Sequence, residues 1–145
     1  MYETYDKWPE VAKESYKNFL PKIDLKNIDH VVFAGMGGSG TVGDIFASIL
    51  SKMDIHVTVV KGYLVPKTVS DNTLVVCTSI SGNTDETLTI LQNSKKSNAK
   101  FVGLSSGGLM EEYCKKNSMD HYKIKKEHSP RASFIGFLYS TLNIL

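Results

Sequence analysis

The sequence predicts an α/β fold, a three-layer αβα sandwich whose mostly parallel sheet has about five strands, as in flavodoxin-like proteins. Short apolar, β-branched runs alternate along the chain with segments of helical periodicity. Parallel strands are joined by right-handed crossovers, so helices should cover both faces of the sheet. The 145 residues suit one domain, because they can bury one core and are too few for two.

The periodicity assigns each element in turn. Five apolar runs are predicted as strands, at residues 30–34, 55–60, 74–78, 100–104 and 121–124. Apolar residues at helical spacing predict helices between them, at residues 41–52, 84–96 and 109–117. An amphipathic helix over about residues 6–20, capped by Asp6, precedes the first strand. A last helix from about Pro130 to Leu145 is apolar on much of its circumference, so we expect further protein to cover it.

Composition limits the classes of function. Seventeen basic and fifteen acidic side chains give a formal charge of +2, which does not indicate a general nucleic-acid binder. Cys77 and Cys114 are too few for a disulfide framework and fit a reducing cytoplasm. A signal-peptide pattern and an apolar run of about 20 residues are both absent, so we expect neither secretion nor a membrane partner. The histidines lack metal-ligand spacing, and we predict no metal and no cofactor.

A glycine-rich segment, Gly35-Met-Gly-Gly-Ser-Gly40, follows the first predicted strand. Parallel α/β proteins bind ligands outside the carboxyl ends of their strands, and glycines there can expose backbone N–H groups to an anion. Gly35, Gly37 and Gly40 also fit the dinucleotide pattern G-x-G-x-x-G. An NADP-binding Rossmann domain therefore stays open as an alternative: the acid expected after the second strand is missing, but Lys61 could bind a 2′-phosphate.

A hydroxyl-rich segment, Ser79-Ile-Ser-Gly-Asn-Thr84, lies between the third predicted strand and a helix. Its hydroxyls, together with the amides of the helix terminus, can offer a phosphate about four or five donors without a lysine. Ser81 or Asn83 is also expected to cap that helix, and a cap does not exclude a ligand. The segment therefore predicts a phosphate site.

Three segments make the chain similar to the sugar isomerase (SIS) domain family, and within it to the bifunctional phosphoglucose/phosphomannose isomerases. The segments are Gly35–Gly40, Ser79–Thr87 and Pro130-Arg131-Ala132, in that order, and the resemblance covers essentially the whole chain. It implies an aldose–ketose isomerase that converts glucose 6-phosphate or mannose 6-phosphate to fructose 6-phosphate through an enediolate. The implied site comprises Ser79, Ser81 and Thr84 for the phosphate, Gly37, Gly38 and Ser39 for the sugar, and Arg131 near the reacting carbons.

The resemblance also implies that part of the active site is missing. In the family, a glutamate base, a histidine and a lysine come from a second SIS domain, and this chain ends before one. We therefore expect residues 1–145 to bind phosphosugar weakly and to catalyse little alone, with a second SIS domain or a homodimer as partner. A non-catalytic module that senses sugar phosphates remains an alternative.

Overall fold

Five strands form one sheet in the computed structural model, which describes residues 2–145. They are β1 (His30–Ala34), β2 (His56–Val60), β3 (Thr73–Ser79), β4 (Lys100–Ser105) and β5 (Asp120–Lys123). Every neighbouring pair is parallel, and the order across the sheet is β2-β1-β3-β4-β5. This is the flavodoxin-like order, which confirms the predicted fold class.

Helices cover both faces of the sheet. They are α1 (Tyr2–Asp6), α2 (Trp8–Lys17), α3 (Gly37–Leu50), α4 (Asp85–Gln92), α5 (Gly108–Lys116) and α6 (Pro130–Ile144), with a 3₁₀ turn at Asn93–Lys96. The core on one face joins α3 and α6 to the sheet, and the core on the other joins α4 and α5 to it. Because both faces are covered, β1 and β3 are buried along their whole length.

The helix α6 is not the uncovered apolar helix that the sequence suggested. Phe137 and Ile144 are buried in the core shared with α3, and α2 packs along α6 as well. The Asn143 side chain donates hydrogen bonds to the carbonyl oxygens of Tyr16 (3.0 Å) and Asn18 (2.6 Å). The N-terminal helix of the same chain therefore supplies much of the expected cover.

Two predicted helix starts were wrong. The helix predicted from Asp6 begins at Trp8, because Asp6 belongs to the short α1 and the N-cap of α2 is Lys7, which makes no side-chain cap. The helix predicted from Thr41 begins at Gly37. Glycine has a low helix propensity, so its run conceals the first turn of α3 from a periodicity argument.

The connection from β2 to β3, residues 61–72, contains no helix. We call this segment the strap. Val65 and Val69 of the strap pack against the core on the α4 side of the sheet. A loop thus covers a part of the sheet where a crossover helix is usual.

Neither a membrane-spanning helix nor a metal-ligand cluster occurs within residues 2–145. None of the helices there has the length and apolarity to cross a membrane. No cluster of three or more histidine, cysteine, aspartate or glutamate side chains is placed to hold a metal ion.

Candidate functional site

The carboxyl ends of β1 and β3 lie side by side, with Ala34 paired to Cys77. The strand order reverses between these two strands, and ligands of open parallel sheets bind at such a point. Residues 35–40, which we call the glycine turn, follow β1, and residues 79–84, the serine turn, begin with the last residue of β3. The fold therefore brings the two predicted segments to neighbouring positions.

Two glycines of the glycine turn are required by backbone packing. Gly35 donates a hydrogen bond to the carbonyl oxygen of Val60 (3.1 Å), and a Cβ on Gly35 would lie 3.0 Å from the carbonyl oxygen of Thr78. A Cβ on Gly40 would lie 2.8 Å from the Gly35 carbonyl oxygen and 3.0 Å from the side chain of Lys61. These positions hold α3 close to the sheet.

The first turn of α3 is open where Gly37 and Gly38 lie. Both residues are exposed, and a Cβ on either would meet no atom within 4 Å. The N-cap of α3, Met36, makes no side-chain cap. Ser39 follows in the same turn with 8% of its surface exposed, and its hydroxyl has no hydrogen-bond partner in the described part of the chain. The three residues predicted to contact the sugar therefore lie in one helical turn, with Gly37 and Gly38 exposed and Ser39 almost fully buried.

The side chain of Ser79 stabilises the conformation of the serine turn through hydrogen bonds. Only 1% of its surface is exposed, and its Oγ lies 2.8 Å from Thr84 Oγ1 and accepts a hydrogen bond from Gly82 N–H (3.0 Å). Ser81 is exposed, and its Oγ accepts a hydrogen bond from Asn83 N–H (3.2 Å). Of the two predicted serine ligands, Ser81 therefore presents its side chain to solvent, and Ser79 has intramolecular partners.

The predicted cap of α4 was wrong. Thr84 is the N-cap of α4, and no side chain of the described residues caps the helix. Asn83 instead uses its Oδ1 to accept a hydrogen bond from Leu109 N–H (2.9 Å), at the start of α5. The first N–H groups of α4 therefore have no side-chain acceptor, and such groups at a helix N-terminus attract anions.

A third turn, which sequence reasoning missed, supports the serine turn. Residues 105–108, the β4–α5 turn, contain Ser106, whose backbone N–H and Oγ both donate to the carbonyl oxygen of Ile80, at 3.2 Å and 2.6 Å. Met110 N–H donates to the carbonyl oxygen of Gly82 (2.9 Å). Two serines followed by two glycines, directly after a buried strand, were the available signal, because the first two turns have the same kind of composition.

A lysine near this edge is already paired with a carboxylate. Lys61 Nζ lies 2.6 Å from Asp44 Oδ2, so Lys61 is engaged within the protein. The charge of Glu86 raises the pKa of the Tyr63 phenol, with burial contributing. The strap and the first turn of α4 are therefore close enough for these two side chains to interact. The glycine and serine turns themselves offer neutral donors.

Arg131 lies exposed in the first turn of α6, which begins beyond β5. The helix is capped by Ser129, whose Oγ accepts a hydrogen bond from Ala132 N–H (3.2 Å). Arg131 itself makes no hydrogen bond or ion pair with any residue in the range 2–145. Its contact with the reacting carbons stays a prediction.

The SIS domain family matches residues 24–144. The bifunctional phosphoglucose/phosphomannose isomerase of Caldicellulosiruptor bescii is 34% identical over 149 residues, which cover 100% of this chain and 44% of that protein. The protein of the same name from Aquifex aeolicus is 34% identical over 141 residues, which cover 95% of this chain and 41% of that protein. The chain thus spans less than half the length of these curated relatives.

A solved structure shows the same architecture. The C-terminal domain of glucosamine-fructose-6-phosphate aminotransferase from Francisella tularensis superimposes with a TM-score of 0.77 at 18% identity, over 97% of this chain and 45% of that one. At this identity the likeness supports the fold. The sequence match over residues 24–144 and the flavodoxin-like sheet agree, and the chain belongs to the SIS domain family.

Proposed function

We propose that this chain binds sugar phosphates at the carboxyl edge of its sheet and supplies half of the active site of an aldose–ketose phosphate isomerase. The observation that carries the proposal is the N-terminus of α4, which has no side-chain cap and whose N-cap, Thr84, lies three residues after the exposed Ser81. Helix-terminal amides beside a hydroxyl bind a phosphate without a lysine. Glucose 6-phosphate, mannose 6-phosphate and fructose 6-phosphate are the proposed ligands.

The phosphate and the sugar would occupy different turns. Ser81, Thr84 and the first amides of α4 would bind the phosphate, with Ser79 holding the serine turn in shape. The open surface at Gly37 and Gly38 would accept the sugar, because no side chain of the described residues fills it. Backbone groups can approach a ligand closely at such glycines.

Catalysis would need groups from elsewhere. Isomerisation transfers a proton between C1 and C2, which requires a base, and charge develops on the oxygens of the enediolate. Arg131 would stabilise that charge. We propose that the base comes from a second SIS domain, in the same polypeptide or in a second copy, since residues 1–145 would form one such domain. Two buried free thiols fit a cytoplasmic protein.

The first experiment measures binding. The chain would be titrated with glucose 6-phosphate, fructose 6-phosphate and NADPH, and the amide shifts followed by NMR. We expect both sugar phosphates to bind and Ser81→Ala to weaken them about tenfold, the value of one hydrogen bond to a charged group. Ser51→Ala is the matched control, because Ser51 is an exposed serine at the C-terminal end of α3. Binding of NADPH alone would overturn the proposal.

The second experiment measures turnover. A two-domain protein, extended to the length of the relatives, should form fructose 6-phosphate from glucose 6-phosphate, and Arg131→Met should lower kcat more than it raises KM. The sensing alternative predicts tight binding by this chain and no proton exchange at C2. A folded two-domain protein that binds phosphosugar but exchanges no proton would favour sensing over isomerisation.

A further inference from the structure

The hydroxyl of Ser105, which the proposed function does not use, has three partners. Ser105 is completely buried at the end of β4. Its Oγ donates to the carbonyl oxygen of Gly107 (2.7 Å), accepts from Gly107 N–H (3.2 Å) and lies 2.8 Å from His121 Nε2. A hydroxyl has one hydrogen and two lone pairs. Since Gly107 takes the hydrogen, His121 must donate a hydrogen from Nε2.

The β4–α5 turn has a backbone conformation that glycine adopts readily and other residues rarely do. Gly107 has a φ of +141° and Gly108 a φ of +70°. Because glycine has many conformations open to it, contacts with the surroundings select this one. A Cβ on Gly82 would collide with the carbonyl oxygen of Gly107. The position of Gly107 therefore determines where Gly82, at the centre of the serine turn, can lie.

The surroundings of His121 favour the neutral imidazole. Burial lowers the pKa of His121, with Lys115 and Lys123 acting in the same direction and Glu111 opposing them. Glu111 is itself bound to both lysines, with Oε1 2.7 Å from Lys115 Nζ and Oε2 3.0 Å from Lys123 Nζ. These are the charged groups that face His121 from α5 and β5. At neutral pH the ring therefore has one hydrogen, and Ser105 requires it on Nε2.

We propose that His121 and Ser105 are positioning residues for the serine turn. The His121 Nε2–H group orients the Ser105 hydroxyl. That hydroxyl binds the N–H group and the carbonyl oxygen of Gly107, and the carbonyl oxygen determines where Gly82 lies. The donors of the serine turn are thereby held in place before the phosphate arrives, so binding does not need to order them. This inference rests on the proposed phosphate site and deepens it.

The tautomer can be tested without any substitution. The imidazole nitrogens of the ¹⁵N-labelled chain would be assigned by NMR at about pH 8, well above the ordinary pKa of histidine. We expect His121 to have its hydrogen on Nε2, with Nδ1 unprotonated. A hydrogen on Nδ1 would overturn the proposal, because Ser105 would then lack its second donor.

The positioning role is tested by a pair of substitutions. His121→Gln retains a side-chain N–H at a similar reach, and His121→Met has a similar size without a donor. We expect His121→Met to speed amide exchange at Gly82 and Met110 about tenfold and to weaken glucose 6-phosphate binding about tenfold, the value of one hydrogen bond. His121→Gln should recover both to within about threefold. His56→Gln is the matched control, because His56 is exposed at the opposite end of the sheet.

The two readouts separate the inference from the proposed function. Unchanged exchange at Gly82 in His121→Met would overturn the positioning role, and so would a Gln variant as impaired as the Met variant. If the unaltered chain binds no glucose 6-phosphate, the phosphate site is overturned, and the exchange data still decide whether His121 seats the serine turn. Should His121→Met fail to fold, the tautomer measurement decides.

Discussion

An added methyl group at Gly38, in the glycine turn, would meet no atom within 4 Å, whereas at Gly82, in the serine turn, it would collide with Gly107. The two turns lie on adjacent strands at the same edge of the sheet. At Gly38, the missing side chain leaves room at the surface. At Gly82, as at Gly35 and Gly40, it lets two backbone segments approach closely. A glycine-rich sequence therefore indicates either space for a ligand or close packing. Only the segments that lie beside each glycine in the folded protein show which of the two applies.

The largest expected effect comes from Gly82→Ala. The substitution forces a side chain into a φ of +74° and against the Gly107 carbonyl, so we expect the free energy of unfolding to fall by about 3 kcal/mol or more. Gly38→Ala is its matched control and should change stability by less than about 1 kcal/mol. Urea denaturation measures both. Equal losses in the two variants would break the comparison.

A smaller effect separates the two serines of the serine turn. Ser79→Ala should lower the free energy of unfolding by about 1–3 kcal/mol, because the Gly82 N–H and the Thr84 hydroxyl lose a buried partner. Ser81→Ala should change it by less than about 0.5 kcal/mol, because Ser81 is exposed. The same denaturation experiment compares them. If Ser81→Ala were the more destabilising, the assignment of Ser79 as the shaping residue would be wrong.

The smallest expected effect is the change in the free energy of unfolding with pH. The pKa of His121, behind the serine turn, is lowered from 6.5 by burial, and that of His30, at the start of β1, is lowered by burial and by His56. The unfolded chain therefore binds more protons than the folded chain below about pH 6.5, and stability is lost as the pH falls through that range. Denaturation at a series of pH values should show this loss, and His121→Gln and His30→Gln should each reduce it. A flat profile in the unaltered chain would contradict these pKa directions.

The inner strands β1 and β3 were predictable because they are buried along their whole length. Val31 to Ala34 and Leu74 to Cys77 are continuous apolar runs, which is how a covered parallel strand appears in a sequence. The positions of the glycine and serine turns followed from the ends of those runs. The start of α3 did not, because glycine has the weakest helix propensity apart from proline and conceals the turn that it forms.

The remaining differences depend on contacts between distant residues. Ser81 or Asn83 was expected to cap α4, but Asn83 Oδ1 accepts a hydrogen bond from Leu109 N–H at the start of α5, a contact that only the folded chain creates. The apolar surface of α6 is partly covered by α2, which lies more than a hundred residues earlier in the chain. The hydrogen bond between Ser105 and His121 joins two strands, and no local pattern indicates it.

The strap is expected to be less stable locally than the central strands beside it. Its cover over the sheet relies on side chains such as Val65 and Val69, without the internal hydrogen bonds of a helix. Segments with few buried apolar contacts open locally at a lower free energy than the central strands do. The charge of Glu86, in the first turn of α4, acts on Tyr63 of this strap. A ligand at the N-terminus of α4 would therefore lie between a strap expected to open at a lower free energy and the buried strands β1 and β3.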